Sequence, residues 1–365
     1  MQRGNMGLEV VCCLRLPDSL AYLHLAPIAR HPDVSKIWIV RHAKIEYGDI
    51  PKAEYVIVDS KWRLVRFARM LAACAGLARR DNVRLFVSFN PLPYGLFSLA
   101  AAKWRHKKIH FGFIGQDWNR HCRGALRSWL AGQVLRRVDL ISAAGPAMRQ
   151  EISRLGIPAD RLFVSPHAVD LSRFPVRPER DEKYTCIFIG RLIRLKHVDT
   201  ILRAFQYVVQ SYPESRLCVV GDGPQLKSLQ RLAGTLDITE YVDFAGYQKD
   251  VRPYLSASRM LIVASDSEGF PFTLVEAMAT GVVPLTTPVG CIPDYISDQE
   301  TGLFFEPGNY RQLADKIQWL LEKPEAYAQL RANILKLRPA LAIDHCTQAW
   351  DEHLTRLARQ DSQKP

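Results

Sequence analysis

From Thr185 onward the chain alternates short β-branched or aliphatic runs with amphipathic helical stretches, and few folds accept that alternation. TCIFIG leads to VDTILRAFQYVVQ, RLCVVG to PQLKSLQRLAG, and RMLIVAS to FTLVEAMATG, with YVDFAG, VVPLTT and TGLFFEP as further strand candidates. Helical segments then run from Tyr310 to about Leu357. Repeated βαβ units around a parallel sheet carry this signature. The first half repeats it less regularly in LEVVCCL, KIWIV, EYVIV, RLFVSF, KIHFGFI, DLISA and RLFVS, which predicts a second sheet. Between the halves, LSRFPVRPERDEKY interrupts both patterns with prolines and charge, as a linker does. The expected division is a first domain over 1–175, a linker over 176–183, a second domain over 184–342, and a C-terminal helix over 343–365 packing back toward the first. A chain of 365 residues is long enough for both cores.

Charge separates the halves further. Residues 1–178 hold 28 lysines and arginines against 13 carboxylates, a net +15, whereas the remainder is −3. All the excess basicity lies in the first half, which therefore faces something anionic. Eight cysteines, Cys12, Cys13, Cys74, Cys122, Cys186, Cys218, Cys291 and Cys346, form no CxxC pair and read as buried apolar residues of a reducing compartment. No run approaches the ~18 apolar residues of a membrane span. The expected location is cytoplasmic, with peripheral attachment to the cytoplasmic face of a membrane.

The segment MLIVASDSEGFPFTLVEAMATG carries the strongest chemical signal. A strand ends at Ala264, a small acidic loop follows, and Pro271 opens a helix that Gly281 stops. The amides of Phe272, Thr273 and Leu274 then lack intrahelical partners and sit at the positive end of the helix dipole, where a phosphate binds. Glu268 precedes the helix and Glu276 lies within it, roughly 6 Å further along the axis. Two carboxylates so spaced suit different hydroxyls of one elongated ligand. The plain alternative is a capping Glu268 and a surface ion pair at Glu276. In FIGRLIRLKH, Arg191 and Lys196 follow a strand end, where two cations offset charge on a departing diphosphate. VVGDGPQLKSL lacks the third glycine of a dinucleotide fingerprint, so NAD is poorly supported.

Together these residues resemble the donor domain of the retaining GT-B glycosyltransferases of the large family numbered four. The likeness rests on GRLIRLK, VGDGP, FAG, EGFPFTLVE, EAMATGVVP and TGLFFEPG, in that order over about 185–310. It implies an α/β fold of two Rossmann-like, doubly wound αβα domains facing across a cleft. By the resemblance, Arg191 and Lys196 hold the diphosphate of a UDP- or GDP-sugar, with Gly190 at the same strand end. Glu268 would hold the transferred hexose, Gly269, Phe270, Pro271, Phe272 and Thr273 would contact sugar and phosphate, and Glu276 would hold the ribose. The nucleobase would lie near Tyr247 and Gln248. No metal or other cofactor is implied, and the acceptor is a saccharide or lipid-linked hydroxyl. GQDWN is similar to a segment that aligns Asp117 with a family aspartate while Ile114 takes the place of its histidine. VGCIPDYI departs by placing Cys291 and Asp294 where glycine and glutamate are usual. The turn after the first strand, LRLPDSLAY, lacks the glycines many members use.

The basic half adds KWRLVRFARMLAACAGLARR, a helix with Arg63, Arg66 and Arg69 beside an apolar face of Leu64, Met70 and Leu71, and KWRHKK, with Lys103, Arg105, Lys107 and Lys108. Such a surface suits anionic lipid. Two rival readings are a nucleotide-sugar 2-epimerase of the same architecture, which needs no acceptor, and a nucleic-acid-binding protein, which the basic charge suggests but no recognition motif supports. A catalytically dead scaffold is a third, opposed by the intact Glu268, Glu276, Arg191 and Lys196.

Overall fold

The computed structural model describes residues 7–114, 125–177 and 182–359. Every strand candidate becomes a strand. In the first unit these are β1 Leu8–Cys13, β2 Val34–Arg41, β3 Ala53–Ile57, β4 Val83–Ser88, β5 Lys108–Gly112, β6 Leu140–Ala143 and β7 Leu162–Val164. They form one parallel sheet in the order β3-β2-β1-β4-β5-β6-β7. The second unit holds β8 Tyr184–Ile189, β9 Leu217–Val220, β10 Val242–Gly246, β11 Ser258–Val263, β12 Val283–Thr286 and β13 Leu303–Phe304, ordered β10-β9-β8-β11-β12-β13 and again parallel.

Parallel sheets covered by helices bury both faces, which is why strands such as LEVVCC are apolar or buried throughout. The helices supply the matching stripe. Val198–Ser211 buries Val198, Ile201, Leu202, Phe205, Val208 and Val209, the 3.6-residue recurrence of a core-facing helix. Both sheets reverse their strand order beside the first strand of the unit, between β1 and β4 and between β8 and β11. In open α/β sheets ligands bind outside the carboxyl ends of the strands at such switch points.

The first unit comprises Met1–Ala168 and Ile343–Pro365, and the second Val169–Ala342. The break therefore precedes the expected linker. Val169 bridges to Ala342, Arg338 donates to the carbonyls of Leu171 and Phe174, and the Arg177 amide donates to Thr280 O at 3.0 Å, so 169–177 is built into the second unit. Positions 178–181 of the expected linker lie outside the described residues. Within the first unit the returning C-terminal segment is held by an Arg30–Asp344 ion pair at 3.1 Å, by Arg84 donating to Leu357 O at 2.8 Å, and by buried Trp350 against His110 and Phe163. All seven described cysteines are buried and outside any disulfide, and burial pushes the thiols of Cys218 and Cys346 up to about 12. Cys122 lies outside the described residues. No helix among them is long and apolar enough to cross a membrane.

Candidate active site

The switch point of the second sheet gathers most of the expected chemistry. The chain leaves β8 through Gly190 and Arg191, makes a short turn over Arg194–Lys196, and enters the next helix through His197 in the left-handed region, φ +46°. It leaves the neighbouring β11 through Ala264, Ser265 and Asp266. Two contacts tie these loops together: the Asp266 amide donates to Leu195 O at 3.2 Å, and His197 Nε2 and Asp266 Oδ2 are 2.6 Å apart. This juxtaposition brings Lys196 onto Glu268 as a hydrogen-bonded ion pair, with 21% and 11% of the two side chains exposed. Ser265 Oγ donates to the same carboxylate oxygen, Oε1, at 2.6 Å. Glu268 is thus held by two donors, and it does not cap the following helix, whose N-terminus has no side-chain cap.

That helix spans Phe272–Thr280, with Pro271 as its N-cap rather than its first residue and Gly281 closing it at φ +78°. The Leu274 amide is already satisfied, donating to Pro271 O at 3.0 Å, which removes one of the three donors expected for an anion. Glu276 is 7% exposed, so it is no surface ion pair. A buried carboxylate needs hydrogen-bond donors, and Glu276 can accept them from hydroxyl groups.

The loop Glu268–Gly269–Phe270 is shaped from behind by VGCIPDYI. The Cys291 amide donates to Gly269 O at 2.8 Å, and the rings of Phe270 and Tyr295 stack at 4.1 Å. Gly290 sits at φ +60° with its Cα against the loop, where a Cβ would lie 2.0 Å from Glu268 O. The segment that departs from the family pattern is therefore the support of the glutamate loop. VGDGP has a comparable part: a Cβ on Gly221 would lie 1.9 Å from Gly190 O, and Leu192 N donates to Asp222 O at 2.9 Å. Its glycines let the β9 loop close against the β8 loop, and its helix starts at Leu226 rather than near Pro224.

Arg191 is exposed and has no hydrogen-bond or ion-pair partner for its side chain among the described residues. Tyr247 is exposed just past Gly246, and Gln248 turns back to donate to Ala245 O at 2.7 Å. Asp117 lies outside the described residues. Sequence reasoning missed Ser265, His197 and Asp266. The signal for Ser265 was its place three residues before Glu268 at the strand end.

The basic segments divide. In KWRHKK, Lys103 and Lys108 converge on Asp139 at 2.9 and 3.2 Å, and Arg105 lies over Trp104. These are structural contacts. In the helix Arg63–Ala78 the buried residues are Met70, Cys74, Leu77 and Ala78, whereas Leu64 and Leu71 point outward, contrary to the single apolar face expected.

Comparison with known proteins meets this geometry. The model of "Glycosyl transferases group 1" matches residues 172–337, and that of the "Glycosyl transferase 4-like domain" matches 40–168. Among curated proteins, N-acetyl-alpha-D-glucosaminyl L-malate synthase of Bacillus anthracis is 33% identical over 144 residues, 40% of this chain and 38% of that protein. An uncharacterized glycosyltransferase of Haemophilus influenzae is 28% identical over 172 residues, 46% of this chain and 48% of that protein. The chain thus spans about half or less of the length of these curated relatives. Among solved structures, Anabaena Alr3699/HepE in complex with UDP superposes with a TM-score of 0.80 at 16% identity, over 96% of this chain and 100% of that one. At that identity the likeness shows the fold, which is GT-B. The chain thus carries a glycosyl transferases group 1 domain over residues 172–337 and a glycosyl transferase 4-like domain over 40–168, in the GT-B fold.

Proposed function

We propose that the protein transfers a hexose-type sugar from a UDP- or GDP-sugar to a hydroxyl of a saccharide or lipid-linked acceptor, with retention of anomeric configuration. The observation that carries this reading is the convergence, at one switch point, of the Lys196–Glu268 pair, the N-terminus of the helix Phe272–Thr280 and the buried Glu276. In this reading Arg191, Lys196 and the first-turn amides hold the diphosphate, Glu268 holds the hexose, Glu276 the ribose, and Tyr247 and Gln248 flank the base. The acceptor oxygen bonds to the anomeric carbon as the bond to the diphosphate oxygen breaks. The acceptor proton passes to a departing phosphate oxygen, so no protein nucleophile and no metal is required. The relatives support the donor class: the Anabaena protein was crystallised with UDP and with UDP-glucose, and a mannosyltransferase of Mycolicibacterium smegmatis, 27% identical over 203 residues, is GDP-mannose-dependent.

A thermal-shift screen against UDP, GDP and their sugar conjugates tests the donor site. Binding to the native state alone adds about 2.7 kcal/mol at a hundredfold excess over Kd. One nucleotide series is expected to raise Tm, and Glu276→Ala to abolish most of that rise. Folded protein indifferent to every nucleotide contradicts the assignment.

The acceptor, in this account, is met at an anionic membrane surface. Around the start of the helix Arg63–Ala78, Trp62 and Leu64 are 77% and 81% exposed, with Val65 and Leu71 also exposed among Lys61, Arg63 and Arg69. Exposed apolar side chains beside cations match a lipid interface, each cation contributing about 1 kcal/mol near an anionic surface. Co-sedimentation with anionic vesicles at low salt is expected, with little on neutral vesicles. The double change Trp62→Ser with Leu64→Ser is expected to reduce partitioning about tenfold or more. Equal partitioning by the variant would sink the assignment of this face.

A further inference from the structure

The first sheet has a small site of its own beside its switch point. β1 runs into Leu14 and Arg15, β2 ends at Arg41 and continues to His42, and a cavity of about 40 Å³ opens there, lined by Leu14, Arg15, His42, Arg66, Met70 and Tyr94. At ~10–15 Å³ for one water, it holds about three, the bulk of a single tetrahedral anion rather than a sugar ring. Its charge is one-sided. Arg15, Arg66 and His42 line it, and Arg41 stands beside His42, only 2% exposed. Asp18, which accepts from Arg41 Nη2 at 3.0 Å, also accepts the Glu46 amide at 2.9 Å. Arg66, which lines the cavity, has its Nε buried with no hydrogen-bond partner among the described residues, and Arg41, behind the lining, has Nε and Nη1 in the same state. Burial of a charged donor without an acceptor is costly, and an anion in the cavity that accepts from Arg66 Nε binds in compensation. The surroundings act on His42 as well: burial, then Arg41, Arg15 and Arg66, hold its imidazole below the usual range, against a weaker opposing pull from Asp18.

We propose that this pocket binds a phosphate group carried by the acceptor. Two lining arginines, Arg15 and Arg66, fit a phosphate, which guanidinium forks bind bidentately, with His42 beside them as a further nitrogen donor. The inference rests on the transfer reaction proposed above only for calling the ligand an acceptor; the pocket's anion chemistry stands on its own residues. The phosphate belongs either to a lipid head group or to a soluble phosphorylated sugar.

The test follows the His42 ring by NMR in the full chain, its signal assigned with His42→Gln. Inorganic phosphate is titrated against sodium chloride of equal ionic strength and against acetate. A saturable shift of His42 with phosphate is expected, with its titration midpoint moved up because a dianion favours imidazolium. Arg66→Gln should weaken the apparent affinity about tenfold or more, while the nucleotide-induced thermal shift of the same variant stays at the wild-type value and certifies its fold. Soluble glycerol phosphate competing as well as phosphatidic acid vesicles marks a soluble acceptor, and competition by the vesicles alone marks a lipid one. A His42 response to phosphate no larger than that to chloride, an equal response to acetate, or unchanged affinity in Arg66→Gln overturns the proposal. Nucleotide binding without phosphate binding defeats this inference and leaves the donor reading intact; phosphate binding without nucleotide binding does the reverse.

Discussion

Lys196→Ala lowers the rate of sugar transfer about a hundredfold to a thousandfold while the protein stays folded. Lys196 is held on Glu268, so in the proposed reaction its charge needs no reorganisation when the diphosphate departs. Removing one preorganised donor from developing negative charge costs about 10²–10³ in rate. Stability should fall by about 1–3 kcal/mol, because the pair is mostly buried and the Glu268 carboxylate loses one of its two donors. The loss should appear in kcat more than in KM, since charge on the leaving group is greatest in the transition state. Lys196→Arg keeps the charge and should recover part of the rate. An alanine variant within threefold of wild type would remove Lys196 from the chemistry.

The second large effect is structural, and it reaches the site from behind. Gly290→Ala places a methyl 2.0 Å from Glu268 O and 2.7 Å from Gly269 O, at a residue with φ +60°. The left-handed backbone penalty and the forced displacement of the loop together cost about 3 kcal/mol. In a unit of this size that lowers Tm by roughly 6–12 °C. Transfer should fall further than stability explains, because the carbonyls that move flank Glu268 and Gly269. Gly308→Ala is the control: it has φ +76° but nothing within 4 Å of the added Cβ, so it carries the backbone penalty alone. Equal Tm losses in the two variants would show that the clash is relieved without moving the loop.

Much of this was legible in the sequence, for a physical reason. Strands buried on both faces must be continuous apolar runs, and helices covering them must carry a 3.6-residue stripe, so TCIFIG or VDTILRAFQYVVQ declares itself locally. Residues whose position follows from local punctuation were also readable. Gly281 ends its helix, and Lys196 and Glu268 fall at strand ends. What was not legible depends on contacts between distant residues. Nothing in LSRFPVR reveals that Arg338 and Thr280 capture its backbone, so the unit boundary was placed too late. Nothing in VGDGP reveals that Gly221 lies against Gly190. The helix Arg63–Ala78 misled because it has apolar residues on two faces, and only packing decides that Met70 goes in and Leu64 stays out. Ser265 reads as one small residue in a small-residue loop until the β11 strand end sets it under Glu268.

The central claim is transfer from a nucleotide sugar, and release of nucleoside diphosphate tests it most directly. Purified protein is incubated with each UDP- and GDP-sugar, with and without a lipid and saccharide acceptor extract, beside Lys196→Ala. Release is expected from one nucleotide series, dependent on acceptor and nearly absent in the variant. Conversion of the donor sugar without any acceptor would instead mark an epimerase, and folded, nucleotide-binding protein that releases nothing with any donor and acceptor would contradict the claim that this site transfers sugar.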